Sequence, residues 1–275
     1  MNWLVDRLLQ VNPDGVEAFG RALATPVRWL VWLLTVPPPW VIGVAILLLG
    51  WRLGRSFPFG LAMGALVAGL WLLGLWSDAM RSAALVTVAV VAAVAIGLPL
   101  GIAGARYRRF GQAARVVYDL MQTVPSFVYL IPAAMLLGLG TAPALLATVV
   151  VAVPPVARLT DLGLRSVRVE ERDAALALGL SDRLMLLLVE LPLARPSIMA
   201  GVNQAVMGAL GMVVIASMIG ARGLGETVLI GLQRADAGQG AVGGLGIVLL
   251  AILVDRLTQA AGRPHWITAA KPREG

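Results

Sequence analysis

Seven apolar runs divide the 275 residues, at 38–53, 58–76, 83–105, 116–139, 142–159, 197–219 and 242–257. A hydrocarbon core takes about 20 apolar helical residues, so the middle runs are long enough to cross and the first and last are short. The pattern predicts an all-α, polytopic membrane protein with about six or seven transmembrane helices. One further stretch, 25–36, carries Trp29 and Trp32 and reads as an interfacial helix. The only long break is 160–196. Within it, Ser166 is placed to cap a helix, with Glu170, Glu171 and Asp173 in its early turns, where the helix dipole favours anions. Gly179 suits the residue just past that helix, because it takes the left-handed conformation without strain. Ser181 then caps a second helix that Pro192 is expected to end.

Composition narrows the solvent to a bilayer. The chain is 59% hydrophobic and 13% charged, against about 25% charged in soluble domains. Charge then sets orientation. With the turn at Arg106, Arg108 and Arg109 inside, Arg52, Arg55, the 160–196 segment and the C-terminal tail also fall inside. The inside carries 16 basic and 9 acidic residues; the outside has Arg7, Arg21, Arg28, Arg81, Arg222 and Arg234 against six acids. The whole excess of +7 sits on one side, as the positive-inside rule requires. This places the N-terminus outside and the C-terminus inside, with the basic excess facing the cytoplasm. It also explains the basic balance without a nucleic-acid partner. Trp40, Trp51, Trp71 and Trp76 lie at run ends, where headgroups are met.

Candidate chemistry is sparse. There is no cysteine and a single histidine, His265, so thiolate, triad and His/Cys metal sites are not expected. Gly238, Gly240 and Gly243 have dinucleotide-site spacing, but no strand precedes them and an apolar helix follows. No phosphate-cradling G-x-x-x-x-G-K-[ST] occurs. The chain is expected to be neither an enzyme nor a holder of cofactor or metal. Gly60 with Gly64, and Gly97 with Gly101, are spaced for close helix approach. Pro99, Pro125, Pro132 and Pro154-Pro155 are spaced for kinks.

The break carries a spaced pattern: Asp173-Ala174-Ala175, Gly179, then Val189, Leu191 and Pro192. It resembles the E-A-A-x3-G-x9-I-x-L-P signature of permease subunits of bacterial ABC importers, with Asp for Glu and Val for Ile. Met121–Ala133, Pro154–Thr160, Ile198–Gln204 and Val213–Gly220 are similar to stretches of glycine betaine/proline betaine/choline-type permeases. The resemblance covers about 78–259. It implies an ABC type I importer permease fold, with residues 1–77 an N-terminal segment and two spans, 78–260 the permease core and 261–275 a cytoplasmic tail. It implies a coupling loop that docks into cytoplasmic ABC ATPase subunits, which bind the ATP, and an extracytoplasmic substrate-binding protein that delivers solute. No distinct permease partner is implied, so a second copy of the chain is expected. Arg222 stands where relatives more often have a small residue.

Residues 132–264 contain no Phe, Trp or Tyr, so the later spans cannot build an aromatic cage for a quaternary ammonium group. Gln122, Asn203 and Gln204 either line a path or bond between helices. Pro125, Phe127 and Tyr129 are candidates for a gate. An ABC permease for another small polar solute and an ATP-independent secondary transporter are the other transport readings; the secondary transporter favours mid-span charge and inverted repeats, and neither is evident.

Overall fold

A computed structural model describes residues 13–262. Among them the chain is helical: α1 Pro13–Thr35, α2 Pro39–Gly54, α3 Phe57–Leu72, α4 Trp76–Arg106, α5 Arg108–Thr123, α6 Ser126–Leu137, α7 Thr141–Arg165, α8 Val169–Ala177, α9 Asp182–Ser217, α10 Leu224–Gln233 and α11 Ala237–Gly262. Among the described residues, helices α4, α7, α9 and α11 are each long and apolar enough to cross a membrane, and the number rises to six if each of two bent pairs is one span. His265 and the tail lie outside the described residues.

The bundle is assembled where small residues let backbones approach. A Cβ on Gly97 would meet Val156 and the Val153 carbonyl; one on Gly101 would meet Thr160 and the Ala157 carbonyl. These two glycines, one turn apart, seat α4 against α7. Gly163 and Gly201 do the same between α7 and α9, against Ala194, Ser197 and Leu159. Gly60 brings α3 onto α2 at Leu47 and Trp51. The largest apolar cluster joins α3, α4, α9, α10 and α11 through Val67, Leu70, Val86, Val206, Leu224 and Leu250. Gly243 packs against Val228 inside the α10–α11 pair, so the dinucleotide-like spacing serves helix contact.

Four expectations change. The run 116–139 is not one straight helix: α5 and α6 meet at 90°. Pro125 offers no N–H and pushes Val124 to extended backbone (φ −71, ψ 126). The stretch 25–36 is the second half of the longer α1, whose inner face is buried at Val27 among Ala84, Leu85, Ala144 and Leu145. Trp29 and Trp32 face outward, and a 100° turn then leads into α2. The break is much shorter than 160–196. Residues 160–165 belong to α7, where Thr160 fills the space beside Gly101, and 182–196 belong to α9. Nor does Pro192 end a helix. Leu186–Glu190 forms a π turn, in which the Leu191 N–H donates to the Leu186 carbonyl. That turn widens the ladder just where proline withholds a donor, and α9 runs on for 36 residues.

Candidate functional site

The segment between α7 and α9 is a helix, a glycine and a second helix. Ser166 does not cap α8; it ends α7, its hydroxyl donating to the Gly163 carbonyl (2.8 Å). Arg168 is the N-cap instead. Glu171 accepts from its backbone N–H (3.3 Å) and its guanidinium (3.0 Å). The far end of α8 closes as expected. Gly179 sits at φ +76, the Gly179 N–H reaches the Leu176 carbonyl (2.9 Å) and the Leu180 N–H the Ala175 carbonyl (3.2 Å). These paired bonds satisfy the last carbonyls and require a left-handed residue between them. Ser181 precedes α9 as its N-cap residue.

This geometry sorts the expected coupling residues. Asp173 and Ala174 face outward, and Asp173 has no ion pair among the described residues. Ala175 is buried at 4% exposure, so its small size fits the protein's own packing and not a visitor. Gly179 is exposed, Val189 is half-buried in the π turn, and Leu191 and Pro192 lie in the continuing helix. Around Gly179, Leu176, Leu178 and Leu184 stand exposed. They form an apolar rim to the free carboxylate.

Beneath the rim lie two buried carboxylates. Glu190, 3% exposed, pairs with Arg106 at the end of α4 (3.0 Å) and Arg172 on α8 (3.2 Å). Arg106 also donates to the Asp182 carbonyl (3.3 Å), and Arg172 to the Leu164 carbonyl (2.7 Å). Asp161, 7% exposed, takes two bonds from Arg115 of α5 (3.2 and 3.0 Å) and one from Arg165 (2.6 Å). Arg165 reaches on to the Gly104 carbonyl. One carboxylate with two guanidiniums is the arrangement that makes a buried acid tolerable. The two clusters fasten the ends of α4, α5, α7, α8 and α9 together. The spacing of Asp161 and Arg165, four apart on one helix, carried a hint of this; nothing in the sequence placed Arg106 or Arg115.

The path candidates separate. Gln122 and Gln204 line one cavity of about 500 Å³, together with Tyr118, Arg158 and Asp161. Gln122 accepts from Arg158 (3.0 Å), which also pairs with Asp119 (2.7 Å). The Tyr118 hydroxyl is buried there without a partner. Asn203 instead accepts from Thr258 of α11 (3.2 Å), the interhelical role. Pro125 sets the turn into α6. The Tyr129 hydroxyl bridges that turn to the Met121 carbonyl (2.9 Å), and Phe127 is exposed. Neither aromatic lines the cavity.

The architecture is thus a helical bundle with several candidate membrane spans, one end of which carries a braced helix–glycine–helix. Residues 97–263 match the family of binding-protein-dependent transport system inner membrane components, and the chain belongs to that family. It is similar to the glycine betaine/proline betaine transport system permease protein ProW of Salmonella typhimurium, at 53% identity over 179 residues, 65% of this chain and 51% of that one. It is 43% identical over 265 residues to the glycine betaine/carnitine transport permease protein GbuB of Listeria monocytogenes, covering 94% and 92%. Similarity to the glycine betaine transport system permease protein OpuAB of Bacillus subtilis is 36% over 88% of this chain and 86% of that one. The chain spans about half the length of its ProW relatives. Its fold matches a chain of the inward-facing MetNI methionine ABC transporter, with TM-score 0.58 and 22% identity over 70% of this chain and 94% of that one.

Proposed function

We propose that this chain is the membrane-spanning subunit of an ATP-driven importer of betaine-, choline- or proline-type solutes. The observation that carries the proposal is the exposed Asp173 and apolar rim around Gly179, next to the Glu190 cluster, whose Arg172 and Arg106 tie α8 to α4, α7 and α9. A docked ATPase gripping that rim moves α8, and the Glu190 cluster passes the motion to α4 and α9. The rearrangement is a two-state change biased by the partner. The names of the relatives, all transport permeases for betaine-like solutes, support the substrate class.

ATP binds to the ATPase subunits, so this chain needs no cofactor. Two copies of the chain form the path. The rim faces the cytoplasm, which follows from the basic excess at that end. With no aromatic residue between 132 and 264, selection rests with an external binding protein. Gln122 and Gln204 line the inner part of the path.

The test is co-purification with the ATPase and solute uptake in vesicles, for wild type, Asp173→Lys and Gly179→Pro. Pro cannot take φ +76, and Lys reverses the free charge. Both variants are expected to lose ATPase retention and uptake while the bundle stays intact in detergent. Full retention and uptake in both would refute docking at this rim.

A further inference from the structure

At the end of α4 away from Arg106, three arginines meet. Arg28 of α1, Arg81 of α4 and Arg222 of the α9–α10 turn line one cavity of about 480 Å³ with Val27, Trp32 and Leu85. Only part of this charge is answered within the chain. Arg81 reaches Asp78 at 3.6 Å, Arg28 donates to the Thr25 hydroxyl (3.0 Å), and Arg222 has no partner among the described residues. A second cavity, about 580 Å³ and apolar, lies between α1 and α4. Trp32 belongs to both. Trp29, Leu33 and Val91 line the apolar part, and all three are more than half exposed.

A basic pocket that shares the Trp32 indole with an apolar groove has the layout of a single amphiphile: an anion at one end and a hydrocarbon chain at the other. We propose that this face binds one anionic phospholipid. Its phosphate sits among Arg28, Arg81 and Arg222, and one acyl chain lies along Trp29, Leu33 and Val91. Guanidinium groups bind phosphate oxygens in a fork. Tryptophan rings settle at headgroup depth, where the T-shaped Trp29–Trp32 pair (5.7 Å) would frame the glycerol. A soluble acidic protein would match the charge but leave the groove uncovered. A zwitterionic lipid would fill the groove but leave the guanidiniums without a net anion.

The test uses the full chain in phosphatidylcholine nanodiscs that contain a small fraction of dibrominated phosphatidylglycerol or of dibrominated phosphatidylcholine, with tryptophan quenching as the readout. Bromine on the anionic lipid is expected to quench more strongly, reflecting a preference of roughly fivefold for each engaged guanidinium. The excess should vanish in Arg28→Gln/Arg222→Gln and in Trp29→Phe/Trp32→Phe, and persist in Arg52→Gln at the other end of the molecule. Elution as a single species shows that each variant is folded; Arg222→Gln alone, on a turn, should lower the preference even if Arg28 proves needed for folding. Equal quenching by the two lipids in wild type overturns the site, as does an excess that survives the arginine double variant. Loss of binding-protein docking in that variant, with no lipid preference in wild type, assigns the pocket to a protein partner and overturns it too.

Discussion

Glu190 shows what a single side chain does here. It is 3% exposed, lies inside a π turn and holds two arginines that come from different helices. Removing one partner of a buried ion pair strands the rest, a cost of about 3–5 kcal/mol when all are buried. Arg106 and Arg172 are each about a third exposed, so water reclaims part of that. Glu190→Gln is expected to cost about 1–3 kcal/mol, read as a fall of several degrees in the unfolding midpoint of the solubilised protein. It should also lower uptake per ATP hydrolysed, since α8 is no longer held to α4. Gly179→Ala asks a milder question. An alanine at φ +76 costs roughly 1 kcal/mol, which loosens the loop without removing it, so ATPase retention should weaken several-fold where Gly179→Pro abolishes it. The glycine was legible because its reason is local: a helix of good formers must stop, and one residue type stops it at no steric cost. Glu190 was not legible. Its partners are 84 and 18 residues away in the chain, and only the meeting of three helix ends brings them together.

Among the elements, the same division between local and distant causes holds. Apolar length found α4, α7, α9 and α11, because a bilayer imposes it on each helix separately. Gly97 and Gly101 announced a close packing but not against which helix; the structure gives α7. Gly101→Val is expected to be more damaging than Gly97→Val. Its Cβ would lie 2.6 Å from the Ala157 carbonyl oxygen, which is backbone and cannot step aside. Overpacking of this kind costs about 1–3 kcal/mol or more, measured as lost thermal stability and lower membrane yield. What apolar length missed was a bend inside the run 116–139. Its apolar content is continuous, yet Val124-Pro125 turns the chain by 90° and makes an arginine-bearing α5 and a short apolar α6. Hydropathy averages over a window and is blind to a turn inside it. The backbone restriction before proline was the available signal. Pro192 misled in the opposite sense, because the neighbouring π turn absorbs its missing donor.

Across the whole molecule, charge is segregated by end. Arg106, Arg115, Arg165 and Arg172 gather around the carboxylate clusters, and Arg195 bonds the Ala261 carbonyl beside them (2.9 Å). Arg28, Arg81 and Arg222 lie together at the opposite end. The Gln122–Gln204 cavity opens among the first group. On the proposed function, a solute would meet this polar surface last. Gln122→Ala/Gln204→Ala is therefore expected to change uptake several-fold with ATPase retention unaltered, whereas Asn203→Ala, which removes only a bond to Thr258, should leave uptake near wild type and lower stability. Direct measurement of uptake and retention for the two variants separates the roles.

The unbroken run of α9 has a mechanical corollary. Thirty-six residues at 1.5 Å each make a rod of about 54 Å, with one extremity beside Gly179 and the other beside Arg222. Tilting such a rod by about 5° displaces its distant tip by about 5 Å, roughly the width of a small solute. A small displacement at the Gly179 extremity would thus arrive magnified at the far one, along a single stretch of backbone.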